Sequence, residues 1–522
     1  MTLNQRCVIS RLIAEKTVEA YSTLNPVIEV SKTHTISTKG YRGSNSEHSY
    51  DEEKRSYDPS SVGKIAISTS ADANVGINKN LVIEPTLSNA RGYRDQVDDP
   101  SQLKDVNIFS PVEMLTPGTA RNDDPIRTAI AGKQSQHIVP VADAAPALVS
   151  NGYDEAVQFH LSDDFVINAE EDGKVVDVNE EVGFVVVQYK SGKTRAINTK
   201  PEVVKNSGGG FFMSNQLVPT HVKVGETFKK DEPLAYHPNY FRYSKLNGLR
   251  FSIGPLAKMA LMSSYNTYED AGICTQKLAE RMRTAIVYKE DGKFKKNNNI
   301  LSIVKIGDHV NIGDPLIRFD VSVEENELAK YLSKLSEENA NLLEEETKNE
   351  IKASHAGKVI DIKVYTLLDP SALSPSLGKV VQQYFDQGNN KKKFLEKYDS
   401  SDGIVKAGYM LTDSTEPIQS RYNSIKGIKG IDVLIEIYIE HQDVMKVGDK
   451  VALYGPNKQI ISEVIPEGYE PYSEFRPDEE ISVMTSPGTI ARRMTPSIIP
   501  VSAANKVLIE LKRKIAAEIK FG

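Results

Sequence analysis

Lysines, arginines and paired acids recur in short, glycine-bearing runs of this 522-residue chain. Val447-Gly448-Asp449-Lys450-Val451-Ala452-Leu453-Tyr454-Gly455-Pro456-Asn457-Lys458 sets two lysines eight positions apart. Pro487-Gly488-Thr489-Ile490-Ala491-Arg492-Arg493-Met494 carries adjacent arginines, and Arg127 follows Asp123-Asp124-Pro125. Guanidinium forks match phosphate oxygens two at a time, and lysines act as compact point charges. Glu269-Asp270 supplies adjacent carboxylates, the hard oxygen ligands that magnesium takes. Taken singly, each has an ordinary explanation: a surface ion pair for Arg127, a helix N-terminal acid pair for Glu269-Asp270, and solvated side chains for the lysines.

The elements that would hold these residues can be read from pattern. Val224-Gly225-Glu226-Thr227-Phe228, Ile306-Gly307-Asp308-His309-Val310 and Val447-Gly448-Asp449-Lys450-Val451 repeat one design: an apolar residue, a glycine turn, an acid, then a strand with its apolar residue inward. Strand side chains alternate, so Lys450 should point away from the face that buries Val451. Asp123–Gln136 reads as a helix behind the cap-like Asn122-Asp123-Asp124-Pro125. Lys174–Tyr189 alternates as a hairpin about Glu180–Gly183, and Val62–Val82 as short strands and tight loops. Arg11–Tyr21 reads as a short helix, and Gly40–Ser49 as a polar stretch. Gly208-Gly209-Gly210 lacks the lysine and following helix of a phosphate loop and reads as a turn. Val321–Ile351 is acidic and helical in spacing, Asn390–Lys397 reads as a lysine-rich loop, and Asn505–Phe521 as an amphipathic helix with Leu508, Leu511, Ile515 and Ile519 on one face.

Bulk properties exclude several classes. The chain is long enough for several domains, with 39% hydrophobic and 26% charged residues. No apolar run is long enough for a bilayer, and Met1–Ala20 is too polar for a secretory signal, so no membrane is expected and the reading is cytosolic. Cys7 and Cys274 are too few for a disulfide framework, and the histidines lack ligand spacing, so no zinc is expected. A net charge of −7 argues against coating nucleic acid non-specifically; cations that bind it must be local, and binding must weaken with salt.

The Lys450–Lys458 run resembles G-D-K-M-A-G-R-H-G-N-K-G of the β subunit of multisubunit RNA polymerases, and the Arg492-Arg493 run resembles its G-V-P-S-R-M. Four further blocks follow in that family's order. Asn25-Pro26 through Gly40 is similar to the segment where rifamycins bind. Asp58-Pro59-Ser60-Ser61-Val62-Gly63-Lys64 through Asn74-Val75-Gly76-Ile77 resembles H-P-T-H-Y-G-R followed by T-P-E-G-P-N-I-G-L. Asp123–Gly132 through Val139-Pro140 resembles D-D-A-N-R-A-L-M-G-A-N-M-Q-R-Q-A-V-P, and Tyr268–Ile273 resembles F-E-D-A-I-L. The joint order, spacing and glycines turn the ordinary explanations around.

That resemblance implies an α+β, mostly β, multidomain chain with double-psi β-barrel and barrel-sandwich-hybrid modules and a helical flap. It implies a fork and rifamycin-pocket region over 1–100, a hybrid- and nucleotide-side core over 101–275, a flap over 276–440 with its tip at about 321–352, and the second part of the core over 441–522 with a partner-docking helix. Arg127 and Arg493 would grip the incoming triphosphate; Glu269 and Asp270 would sit by the second magnesium, directly or through water. Lys450 and Lys458 would hold RNA backbone phosphates, with Gln136 and His137 near the RNA–DNA hybrid. No D-F-D-G-D triad occurs, so no catalytic residue is expected on this chain. The two-magnesium site would be completed by a β′-like subunit, and the chain alone would be inert. The family's N-terminal lobes and its G-G-Q-R-F-G-E-M-E clamp block have no counterpart, which implies a split β subunit of large-bacteriophage type. Its partners would be N-terminal β and C-terminal clamp fragments, β′-like subunits, a promoter-specificity factor, template DNA, RNA and nucleoside triphosphates. Its location would be the host bacterial cytoplasm or the virion.

The departures carry expectations too. Leu453-Tyr454 replaces G-R, Pro456 replaces a glycine, Thr495-Pro496-Ser497 replaces N-I-G-Q, and Lys133-Gln134-Ser135-Gln136-His137 stands for N-M-Q-R-Q. Lys32, Thr35 and Lys39 stand where rifamycin-sensitive enzymes have His, Arg and Leu, so resistance is expected. Two rivals remain in view. A carrier or adaptor of lipoyl-like sandwich modules would suit the glycine turns, and Val444-Met445-Lys446-Val447 is similar to a biotin-attachment hairpin, but Met445 lacks a partner methionine and the lysine spacing has no role there. A virion structural protein is the other.

Overall fold

The computed structural model describes residues 25–38, 52–69, 73–85, 99–118, 122–200, 202–205, 211–214, 217–321, 348–398, 424–453 and 455–521. The expected helix at 11–21, the polar stretch at 40–49, the glycines at 208–210, Lys39, and 322–347 of the acidic stretch lie outside the described residues. The chain is mostly strand with some helices and divides into two compact units, each gathered from separated stretches. The first comprises Met1–Phe165, Asn239–Thr284 and Val444–Gly522; the second comprises Val166–Pro238 and Ala285–Asp443. Residues 166–238 belong to the second unit, where Val182, Phe184 and Val186 share a core with Phe394 and Leu395.

A five-stranded mixed sheet forms the centre of the first unit. Its strands are β1 (Met259–Leu261), β2 (Ala271–Thr275), β3 (Lys450–Ala452), β4 (Lys458–Ile465) and β5 (Val483–Thr485), in spatial order β1-β5-β2-β4-β3. β1 runs parallel to β5 and β2 parallel to β4, while β5–β2 and β4–β3 are antiparallel. Cys274, Leu278, Met445, Ile461 and Val483 form the core beneath it, where burial pushes the Cys274 thiol up to about 11. The helices of this unit include α1 (Pro26–His34), α2 (Pro125–Ser135), α3 (Pro487–Arg493) and α4 (Ile498–Phe521). Each of the first three starts with proline behind a capping side chain, Asn25, Asp124 or Ser486, that accepts a backbone N–H of the first turn. The terminal helix begins earlier than its sequence spacing suggested, and its Leu508, Leu511, Ile515 and Ile519 are exposed. Among the described residues no helix is long and apolar enough to cross a membrane.

The glycine repeats fold alike. Gly225, Gly307 and Gly448 all take left-handed φ values, +87°, +100° and +99°, which only glycine adopts without a Cβ penalty. Each donates its N–H to a facing carbonyl, of Val175, Val359 and Ile461, and each following acid accepts the facing N–H on its own carbonyl. The acid side chain closes the turn, accepting from the backbone N–H of Lys223, Lys305 or Lys446, three residues earlier. Two more copies have the same bonds: Lys229–Leu234 on Ala169 and Asn311–Leu316 on Ala353. The first was hidden because Asp231, at φ +67°, stands in the glycine position. The second unit thus contains one two-turn arrangement twice.

Two readings in this unit are corrected. Asn390–Lys397 is no loop: it ends a helix over Pro375–Glu396. Phe394 and Leu395 are buried there against Val182, Phe184 and Val186 of the 173–189 hairpin, while Lys392 and Lys393 stay exposed on the same turns, so a helix serves both. Lys348–Ile351, read as the end of the acidic helical stretch, belongs to strand Lys348–Lys352. That strand pairs with Pro315–Val321, with Asp320 opposite Lys348, so residues 322–347 join two adjacent strand ends.

Candidate functional site

Four distant stretches of the first unit meet at one end of its sheet. The Ile460 N–H donates to the Asp270 carbonyl at 2.8 Å, Ala271 lies beside Ile460 in the β2–β4 ladder, and Gly272 faces Thr485 of β5 just before α3. The Gln134 amide of α2 donates to the Pro456 carbonyl at 3.3 Å. Thr495 donates to the buried Asn457 side chain at 2.8 Å. Asp123, just ahead of α2, accepts from both the backbone N–H and the hydroxyl of Ser497, at 2.9 and 2.6 Å. Burial pushes the Asp123 carboxyl above its ordinary value, and the Ser497 bonds act against that rise. At the far end of α2, Asn25 donates to the Gln136 carbonyl at 2.8 Å while capping α1.

The acids and arginines sit on facing elements and pair off. Arg493 grips Asp270 through both oxygens, with Nε to Oδ1 at 2.9 Å. Arg492 reaches Oε1 of Glu269 at 2.6 Å, and its guanidinium lies 5.4 Å from the centre of the Tyr268 ring. Tyr268 first, and then Glu269, hold the Arg492 guanidinium above its ordinary value. The pairs differ in shelter: the Arg493 side chain is 15% exposed, whereas Arg492 and Glu269 are 55% and 59% exposed. Glu269 has φ +56°, a left-handed conformation that costs an L-residue roughly 1–2 kcal/mol. Thr489 of α3 donates to its carbonyl and helps to hold it there. Met494 ends α3, also left-handed at φ +50°.

These two carboxylates have the chemistry of magnesium ligands, but guanidiniums occupy both, and among the described residues no group of three or more acids, histidines or cysteines is placed to hold a metal. As folded, the described residues alone do not form a resident metal site.

The lysines lie along the other edge of the same end. Lys450 faces Ile460 and Ala452 faces Lys458 across the β3–β4 ladder, so both lysines project from one face. Both are exposed, while Val451 turns inward to the core. Arg127 is half-buried on the first turn of α2; Gln136 caps the helix and is half-buried, and His137 follows it, exposed. No side-chain hydrogen bond or ion pair joins Arg127, Lys450 or Lys458 to another described residue. Lys32 is exposed on α1, and Thr35 pairs with Asn80 in a short two-stranded ladder.

Sequence pattern missed Asn25, Asp123, Asn457, Thr489 and Arg492. Their roles rest on partners tens to hundreds of residues away, though the doubled arginine and the Asp123-Asp124 pair were visible signals.

The family model for RNA polymerase Rpb2, domain 6, matches residues 258–518, half of the chain and most of this end of the sheet. The chain belongs to that family. It is similar to the "DNA-directed RNA polymerase subunit beta" of Streptococcus agalactiae serotype Ia, 24% identical over 443 residues that cover 82% of this chain and 32% of the relative. The proteins of the same name from Streptococcus thermophilus and Streptococcus gordonii are each 24% identical, over 433 and 441 residues, covering 81% of this chain and 32% of theirs. The chain spans about a third of the length of the curated relatives it matches.

Proposed function

We propose that this chain is a β-type part of a DNA-directed RNA polymerase, forming the wall that holds the RNA–DNA hybrid and the incoming nucleotide. The observation that carries this reading is the convergence of α2, the 269–270 loop, the β3–β4 hairpin and α3 through the Asp270, Pro456, Asn457 and Ser497 bonds. Nucleotide addition is in-line phosphoryl transfer between metal ions, so protein groups chiefly position phosphates and neutralise charge. Lys450 and Lys458, on one exposed face, hold backbone phosphates of the RNA, and Gln136 and His137 lie toward the hybrid. Arg493 and Arg127 take the triphosphate. Magnesium would be held by aspartates of a β′-like partner, with Glu269 and Asp270 beside the second ion, directly or through water.

The wider proposal follows the same family. The sheet and glycine turns serve as double-psi barrel and barrel-sandwich modules, and the 276–440 region as a flap that meets a promoter-specificity factor. The chain works beside other RNA polymerase subunits, in an enzyme of bacteriophage type acting in the host cytoplasm or carried in the virion.

Co-expression with candidate partners and a nucleotide-addition assay on a primed RNA–DNA scaffold test this. Arg493→Ala raises the nucleotide concentration needed for extension, Arg127→Ala does so less, and Lys450→Ala with Lys458→Ala shortens hybrid retention and flattens its salt dependence. Extension persists in rifamycin, because Lys32 and Thr35 replace the drug's partners. Wild-type extension by all the variants would refute the residue roles, and arrest at concentrations that stop sensitive bacterial enzymes would refute resistance.

A further inference from the structure

Arg492 stands where the family string G-V-P-S-R-M carries serine, so its ion pair with Glu269 belongs to this chain's departure from the pattern. It is adjacent to Arg493 on the last turn of α3, and the two side chains reach consecutive carboxylates of one loop. Two guanidiniums are therefore held over one short stretch, Arg493 on its carboxylate through two contacts and Arg492 on its own through one. Neighbouring phosphates of a polyphosphate chain present anionic oxygens to such forks in the same way.

Building on the nucleotide-binding reading above, we propose that Arg492 and Glu269 form a latch that polyphosphate releases: Arg492 leaves Glu269 and joins Arg493 as a second guanidinium on the incoming nucleotide. The unequal shelter of the pairs supports this. Arg493 is largely enclosed and bidentate on Asp270, so it is fixed in place. Arg492 and Glu269 both stand more than half in solvent, where an ion pair adds little net stability and exchanges readily. Tyr268 gives the guanidinium a ring to rest on, so the side chain keeps a platform when it changes anion. The Thr489 bond holds the Glu269 backbone, so only the side-chain contact need break.

The probe is inorganic tripolyphosphate, titrated calorimetrically at low salt into the full chain and its Glu269→Gln, Arg492→Ser and doubly substituted forms. The latch predicts binding about threefold to fivefold tighter for Glu269→Gln than for wild type. It also predicts that this gain disappears when Arg492 is serine, because Glu269 then has no guanidinium to withhold. An equal gain in both backgrounds would mean that Glu269 merely repels phosphate, and no gain would mean that it does not compete; either overturns the latch while leaving the nucleotide reading intact. Absence of binding by all four chains overturns both. All substituted side chains are exposed, and circular dichroism checks that each form is folded.

Discussion

Gly272 stands where the family string F-E-D-A-I-L carries isoleucine, and a neighbouring side chain explains the difference. A Cβ at this position would lie 2.3 Å from Oε1 of Gln459, which is buried and donates to Thr485 across the sheet. Gly272→Ala should therefore force Gln459 off Thr485 and lower unfolding stability by about 1 kcal/mol. Adding Gln459→Ala should erase that increment, so a double-mutant cycle in urea is the check; purely additive effects would show that the two do not compete for space. His237 illustrates a titrating residue instead. Burial pushes its imidazole down to about 4, so the folded chain keeps it neutral while the unfolded chain protonates near its ordinary value of 6.5. Its contribution is complete above about pH 6.5 and is lost as pH falls toward about 4. Unfolding free energies across that window should decline less steeply for His237→Gln; equal slopes would remove His237 as the cause.

Helix Pro375–Glu396 is the element whose ends matter most. Leu377, Val381 and Phe385 pack on the larger core of the second unit, and Phe394 and Leu395 on the 173–189 hairpin. Phe394→Ala should cost about 3–5 kcal/mol by leaving a cavity against Phe184, read as an earlier urea midpoint; an unchanged midpoint would mean that this turn of helix is dispensable. The same helix shows what sequence can and cannot display. The proline-headed helix α2, the 173–189 hairpin and three glycine turns were legible because each is a local rule about one short segment. The last turns of this helix were obscured by Lys391, Lys392 and Lys393, whose charges reveal nothing about what Phe394 touches. Likewise Asp231 concealed a turn by taking glycine's place.

At the scale of the molecule, neither unit is one continuous stretch of chain, and the candidate site is assembled from residues between Asn25 and Ser497. Residue types and order were readable from motif strings, but that Arg493 already holds Asp270, and Arg492 Glu269, depends on contacts across more than two hundred positions. The junction at 322–347 carries the opposite lesson. Because Asp320 and Lys348 are direct partners across a ladder, whatever the chain spells between them begins and ends at the same place. Closing a longer excursion there adds only about 0.6 kcal/mol for each doubling of its length. A change in the number of residues between Asp320 and Lys348 therefore leaves the pairing of Pro315–Val321 with Lys348–Lys352 in register.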